Sequence, residues 1–102
     1  MGSIYMLIER EALRCEDQVI KIGRSDNVFA RIKNYPKGSE VIYTARVTDS
    51  ESAERMLIKR LSISCNRRRD MGLEYFEGDL EEMTAVFHTV VAKFKTCARC
   101  WS

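Results

Sequence analysis

The chain has no apolar run near the ~18 residues that a membrane-spanning helix requires, which excludes a helical span. No internal repeat or low-complexity stretch interrupts its 102 residues, a length that makes one domain with a modest core. The chain opens directly into Ile4-Tyr5-Met6-Leu7-Ile8, without the basic lead-in or the length of a secretory signal, so we expect an intracellular protein. Met1-Gly2 begins like a myristoylation signal, but Met6 stands where Ser or Thr is wanted. An excess of charge of one sign is lacking too: the net charge is +2, so a polyanion is bound only if the basic residues gather on one face. Cys15, Cys65, Cys97 and Cys100 read as thiols rather than a disulfide framework. Cys97-Ala98-Arg99-Cys100 has metal-ligand spacing, yet no second matching pair completes a structural zinc site. We therefore read residues 96–102 as a cysteine-containing tail after a domain spanning 1–95. Hydrophobic content of 45% against 31% charged residues fits a globular rather than a disordered chain.

Periodicity orders the elements. Residues 3–9 alternate around Ile4, Met6 and Ile8, which predicts a strand. Residues 9–18 are polar and predict a hairpin loop longer than a tight turn. Val19-Ile20-Lys21-Ile22-Gly23 is a compact apolar run with one cation, read as a second, antiparallel strand ended by a glycine turn. A helix over about 27–34, capped by Ser25 or Asp26, buries Val28, Ile32 and Tyr35 with Phe29 beside them, and Pro36 stops it. Lys21, Arg24 and Arg31 cluster around this turn, where free helix amides would join them in a pocket for an anionic oxygen. Residues 41–47 are rich in β-branched and aromatic side chains and predict a third strand. Thr48-Asp49-Ser50-Glu51 has capping-box form ahead of a helix to about Ser64, striped by Ala53, Met56, Leu57 and Leu61. A basic loop over 65–72 and a short extended piece over 73–76 follow. Asp79, with Glu82 three residues on, caps a last helix that buries Leu80, Met83, Phe87, Val90, Val91 and Phe94. The lone histidine, His88, lies off that stripe and reads as a boundary residue. This order predicts an α+β domain with a small antiparallel sheet.

Gly2-Ser3-Ile4-Tyr5, Lys21-Ile22-Gly23, Arg31 eight residues after that glycine, Ala53-Glu54 opening a helix and Glu74-Tyr75-Phe76 together carry a resemblance. In order and spacing they resemble the GIY-YIG endonuclease superfamily, in the branch, common in phages and large DNA viruses, that has Lys-Ile-Gly in place of Tyr-Ile-Gly. The resemblance covers roughly residues 2–94. It implies a three-stranded antiparallel sheet flanked by helices and divalent-metal-dependent cleavage of DNA phosphodiester bonds.

Such hydrolysis needs an activated water, a cation at the developing charge and help for the leaving oxygen. Tyr5 takes the family's first tyrosine position, which implies that its phenol orients or deprotonates the water; the plainer reading is a half-buried strand aromatic. Lys21 takes the second tyrosine position. Among Val19, Ile20 and Ile22 its ammonium faces either solvent or a polar cleft, where it would assist the tyrosine or the water. Arg31 lies at the edge of the first helix's stripe, and its fork matches two phosphate oxygens as no lysine can; a surface arginine is the plainer alternative. Glu54, in line with Leu57, Ile58 and Leu61, is the candidate metal ligand, against a mere helix-dipole role of ~0.3–1 kcal/mol. With Glu74 assigned to a distant strand, one carboxylate converges, so we expect a single Mg²⁺ or Mn²⁺ that keeps most of its waters. Arg24 is a further phosphate contact. Arg67, Arg68 and Arg69 form a plausible clamp on the DNA backbone, although solvated loops carry such runs often. A core this small offers little surface for reading bases, so target preference would come from a homodimer, a partner domain or DNA structure. The alternative is a nucleic-acid-binding or protein-interaction module that keeps the scaffold without turnover. Either way, the nuclease reading requires Tyr5, Lys21, Arg31 and Glu54 to meet in one groove.

Overall fold

Two apolar segments, Gly2–Ile8 (β1) and Val19–Ser25 (β2), pair antiparallel at the centre of the sheet. The computed structural model describes residues 2–10, 18–35, 37–70, 72 and 74–94. The other elements are Val28–Ile32 (α1), Glu40–Val47 (β3), Ser50–Ser64 (α2), Asn66–Arg67 (β4), Tyr75–Glu77 (β5) and Leu80–Phe94 (α3). The hairpin loop over 11–17, Cys15, Pro36 and the Cys97/Cys100 tail lie outside the described residues.

The sheet has five strands rather than three, in the order β3-β1-β2-β5-β4, with every pairing antiparallel. Residues 75–77 pair along the open edge of β2, and two residues of the basic loop pair with them in turn. An uncovered β2 edge would leave a row of backbone amides and carbonyls without partners, so the chain folds back to use it. Gly23 is not a turn: β2 runs through it to Ser25.

Alternation along the strands divides the side chains between two faces. Ile4, Met6, Ile20, Ile22 and Phe76 point to one face, where Ala53, Leu57 and Leu61 of α2 and Met83, Phe87 and Val90 of α3 cover them in a single core. The expected stripes of both long helices are therefore the buried ones, with Met56, Leu80, Val91 and Phe94 packed at the margin. Burial of one leucine of this kind stabilises by roughly 1.5–3 kcal/mol.

The short helix behaves otherwise. It spans five residues, none of them buried, and Phe29 is 84% exposed. The core face is already filled by α2 and α3, so α1 lies elsewhere and its apolar side chains stay at the surface. Its cap is Asn27, whose side chain accepts from the Ala30 amide at 3.2 Å, while Ser25 bonds to the Asn27 backbone. Asp49, not Thr48, caps α2 by accepting from the Ser52 amide at 3.1 Å. The Thr48 amide donates to the Phe94 carbonyl at 2.7 Å and ties the end of β3 to the end of α3. At the start of α3, Asp79 accepts from the Glu81 amide and Gln18 from the Leu80 amide. Among the described residues no helix is long and apolar enough to cross a membrane.

Candidate active site

The register of β1 on β2 sets Tyr5 opposite Gly23 and Leu7 opposite Lys21, and β5 adds Tyr75 opposite Lys21. Directly opposed residues share a face, so Tyr5, Gly23, Lys21 and Tyr75 all project away from the helix-covered core. Gly23 is required here by space. A Cβ at this position would fall on the Tyr5 phenol. The missing side chain lets that ring lie across the neighbouring strand.

A polar cleft of about 330 Å³ opens beside this face, lined by Tyr5, Gly23, Arg24, Arg31, Glu54 and Glu74. Four elements deliver these side chains: β1 brings the phenol, the β2 end and α1 bring the arginines, and the second turn of α2 brings Glu54. Of the four predicted central residues, Tyr5, Arg31 and Glu54 line the cleft. Lys21 stands beside it, its Nζ 3.2 Å from Glu74 Oε2 and 5.0 Å and 6.0 Å from the ring centres of Tyr75 and Tyr35. Lys21 is thus neither a strand lysine in solvent nor a cleft wall, but a cation held by one of the cleft's carboxylates.

Two of these residues escaped the sequence reading. Tyr35 shares a 2.9 Å hydrogen bond between its hydroxyl and that of Tyr5, with the rings edge to face. Its position four residues after Arg31 was the available signal, because such pairs lie on one side of a helical turn. Glu74 is not distant from Glu54. The Ile22 amide donates to the Glu74 carbonyl at 2.9 Å, which draws this residue against β2 and its side chain into the cleft. Nothing local predicts that long-range pairing. Of the amides at the start of α1, that of Ala30 is taken by Asn27.

Charge is balanced closely inside the cleft. Arg24 Nε lies 3.3 Å from Glu54 Oε1. Burial, then the Glu74 charge, pushes the Glu54 carboxyl above its ordinary range, and Arg24 and Lys21 only partly offset this. Burial first, then the Tyr35 hydrogen bond, pushes the Tyr5 phenol up to about 12, while Arg31 acts in the opposite direction. The two tyrosine hydroxyls hold Arg31 more firmly in its charged form. On the far side of Lys21, Tyr75 donates to Glu9 at 2.8 Å, and burial with this bond raises its phenol too.

The arginine run divides. Arg67 lies opposite Phe76 on the helix-covered face, 5.7 Å from the ring centre. Arg68 is gripped by Asp70 at 2.8 Å and lies 3.5 Å from Glu77. Arg69 is exposed. Cys65 is half-buried, and His88 is exposed with its ring against Tyr43. Among the described residues no three His, Cys, Asp or Glu side chains gather as metal ligands.

Comparison with known protein families settles the relationship of the whole chain. A family model described as the T5orf172 domain matches residues 2–101. The chain belongs to the T5orf172 family. This is a phage-type domain in the endonuclease-related set, and the match takes in every strand and helix that builds the cleft. No curated protein and no solved structure matches the chain.

Proposed function

We propose that this T5orf172 domain is a divalent-metal-dependent endonuclease that hydrolyses DNA phosphodiester bonds, a GIY-YIG-type enzyme whose second tyrosine position is Lys21. The observation that carries this reading is that a phenol, a guanidinium and a carboxylate from separate elements (Tyr5, Arg31 and Glu54) line one polar cleft. Membership of an endonuclease-related family supports it. Such an enzyme would meet its DNA inside a cell.

Arg31 grips two non-bridging oxygens of the phosphate in its planar fork, and Arg24 adds a second positive contact. Tyr5, protonated at neutral pH, holds the attacking water through the lone pairs of its hydroxyl, while Tyr35 fixes the direction of that hydroxyl. Lys21 is kept beside the site by Glu74 and two aromatic rings, and from there its charge adds to the field at the phosphate. Glu54 suits a hard cation: its carboxylate is drawn out of water beside a second carboxylate, and added positive charge would favour its ionised form. With one or two carboxylates available, Mg²⁺ or Mn²⁺ would be held by Glu54, with Glu74 near, and would supply Lewis-acid stabilisation of the phosphoryl oxygens. Backbone contacts outside the cleft fall to Arg67, Arg68 and Arg69, with the exposed Arg69 foremost. A homodimer or a partner domain would supply target preference.

The test is nicking of a supercoiled plasmid with Mg²⁺, Mn²⁺ or EDTA, beside Tyr5→Phe and Glu54→Ala. The reading predicts metal-dependent nicking that Glu54→Ala abolishes and Tyr5→Phe sharply lowers in folded protein. One observation favours a binding module instead: Arg24 already pairs with a Glu54 oxygen, so this carboxylate has a cationic partner without a metal ion. Tight DNA binding with no metal-dependent cleavage would decide for that module.

A further inference from the structure

Three of the five α1 residues, Val28, Phe29 and Ile32, carry large apolar side chains, yet the helix buries none of them. An open groove of about 420 Å³ separates α1 from β3, with these three on one side and Val41, Thr44 and Ala45 on the other. Its lining is mainly apolar, and the 84% exposed Phe29 ring stands at its edge.

The groove and the cleft are neighbours in construction. One helix serves both, with Arg31 turned into the cleft and Phe29 and Ile32 into the groove. One strand serves both as well, Ser3 at the groove and Tyr5 at the cleft. Two residues along a strand are ~7 Å apart, comparable with the step between nucleotides in an extended single strand. A phosphate at Tyr5 and Arg31 therefore has its neighbouring nucleotide within one step of the Ser3 end of the groove, whose edge Phe29 forms on the side of α1 opposite Arg31. Asp26 and Asn27 also line the groove and offer polar groups to a base edge. A flat, apolar-faced ligand with a polar edge is what this lining fits. A base stacked and paired within a duplex cannot present its face to Phe29 without leaving the helix.

We propose that Phe29 and the groove behind it stack an unpaired nucleobase of the DNA strand whose phosphate occupies the cleft. The preferred substrate class is then DNA with single-stranded or unpaired nucleotides beside the cleaved bond. This rests on the phosphodiester reading of the cleft, and the test separates the two.

The experiment is fluorescence anisotropy in EDTA, so that no cleavage intervenes, with the full chain and three fluorescein-labelled probes. These are an oligothymidylate, an abasic oligomer with the same number of phosphates, and a duplex of equal length. Wild-type protein binds the oligothymidylate more tightly than the abasic oligomer. Phe29→Ala loses about tenfold on the oligothymidylate, in the range of base–aromatic stacking, and changes neither other probe. Phe29→Trp keeps the wild-type preference. Equal binding of the oligothymidylate by wild type and Phe29→Ala overturns the proposal, and so does an equal loss on the abasic oligomer. Failure of wild type to bind any probe, in EDTA and again with Ca²⁺ in its place, removes the phosphodiester reading, whereas equal binding of the oligothymidylate and the abasic oligomer removes only the base. A wild-type dimer that Phe29→Ala dissociates would assign the groove to a second copy of the chain and overturn the proposal likewise.

Discussion

Tyr5 carries an unusually well-protected proton. With its phenol pushed up to about 12 by burial and by Tyr35, it is neutral at physiological pH and serves as a hydroxyl rather than a stored phenolate. Tyr5→Phe keeps the ring in its place and removes one hydrogen bond, so it costs about 1 kcal/mol of stability. We expect cleavage to fall by about 10²–10⁴-fold, checked by single-turnover nicking beside a thermal melt. An absorbance titration of the phenols should lose its step near pH 12 in this variant. Glu54 obeys the opposite economy of charge. Its carboxyl binds a proton more tightly in the folded protein than in the unfolded chain, so stability falls as pH rises through the interval between the two values. Above that interval Glu54 costs stability. Glu54→Gln is therefore expected to melt no lower than wild type at pH 7 while cleavage is abolished, and to lose any advantage at pH values below the ordinary carboxylate range. Since Glu74 is the second cause of this shift, Glu74→Gln should move the acid limb of the cleavage profile to lower pH. A limb that stays in place would mean that the two carboxylates do not interact.

The strand pair β1–β2 is the element on which the site depends, and its register turns on Gly23. Gly23→Ala puts a methyl group where the Tyr5 phenol lies, so the ring or the strand must shift. Overpacking of this kind costs about 1–3 kcal/mol. The measurable consequences are a lower melting temperature and a loss of cleavage at temperatures where the variant is still folded. Wild-type activity in Gly23→Ala would show that Tyr5 need not lie across β2. Much of this element was readable in advance. Ile4, Met6, Ile20 and Ile22 announce two central strands by alternation, and Lys21 interrupts an apolar run in a way that demands a polar neighbour. The stripes of α2 and α3 were readable for the same reason, because fifteen-residue helices repeat their pattern over several turns. The five residues of α1 do not, so their apolar spacing suggests a buried face although α2 and α3 already fill the core. The pairing of β5 with β2 left no local trace either. That pairing is what moves Glu74 from a remote position to the cleft beside Glu54.

At the scale of the whole molecule, a net charge of +2 leaves little general attraction for DNA, so binding must come from where the cations stand. Lys21, Arg24 and Arg31 cluster at the cleft, each beside a carboxylate or a phenol. Within the loop after α2 the three arginines differ. The hydrogen bonds to Asp70 hold Arg68 firmly in its charged form, but Asp70 and Glu77 also cancel much of its field. Each phosphate contact on duplex DNA contributes about −0.9 to the slope of log K against log salt. Contacts from the three cleft cations and Arg69 would give a slope of roughly −3 to −4, shallow for a nuclease that relied on charge alone. Arg69→Ala should make that slope less steep by about 0.9, whereas Arg68→Ala should change it much less. The comparison is made by anisotropy on one duplex across a salt series, with Glu54→Gln as the background so that the DNA stays intact. Equal changes for the two arginines would show that Arg68 leaves its carboxylates to reach a phosphate, and the loop would then act as the continuous clamp that its sequence suggests.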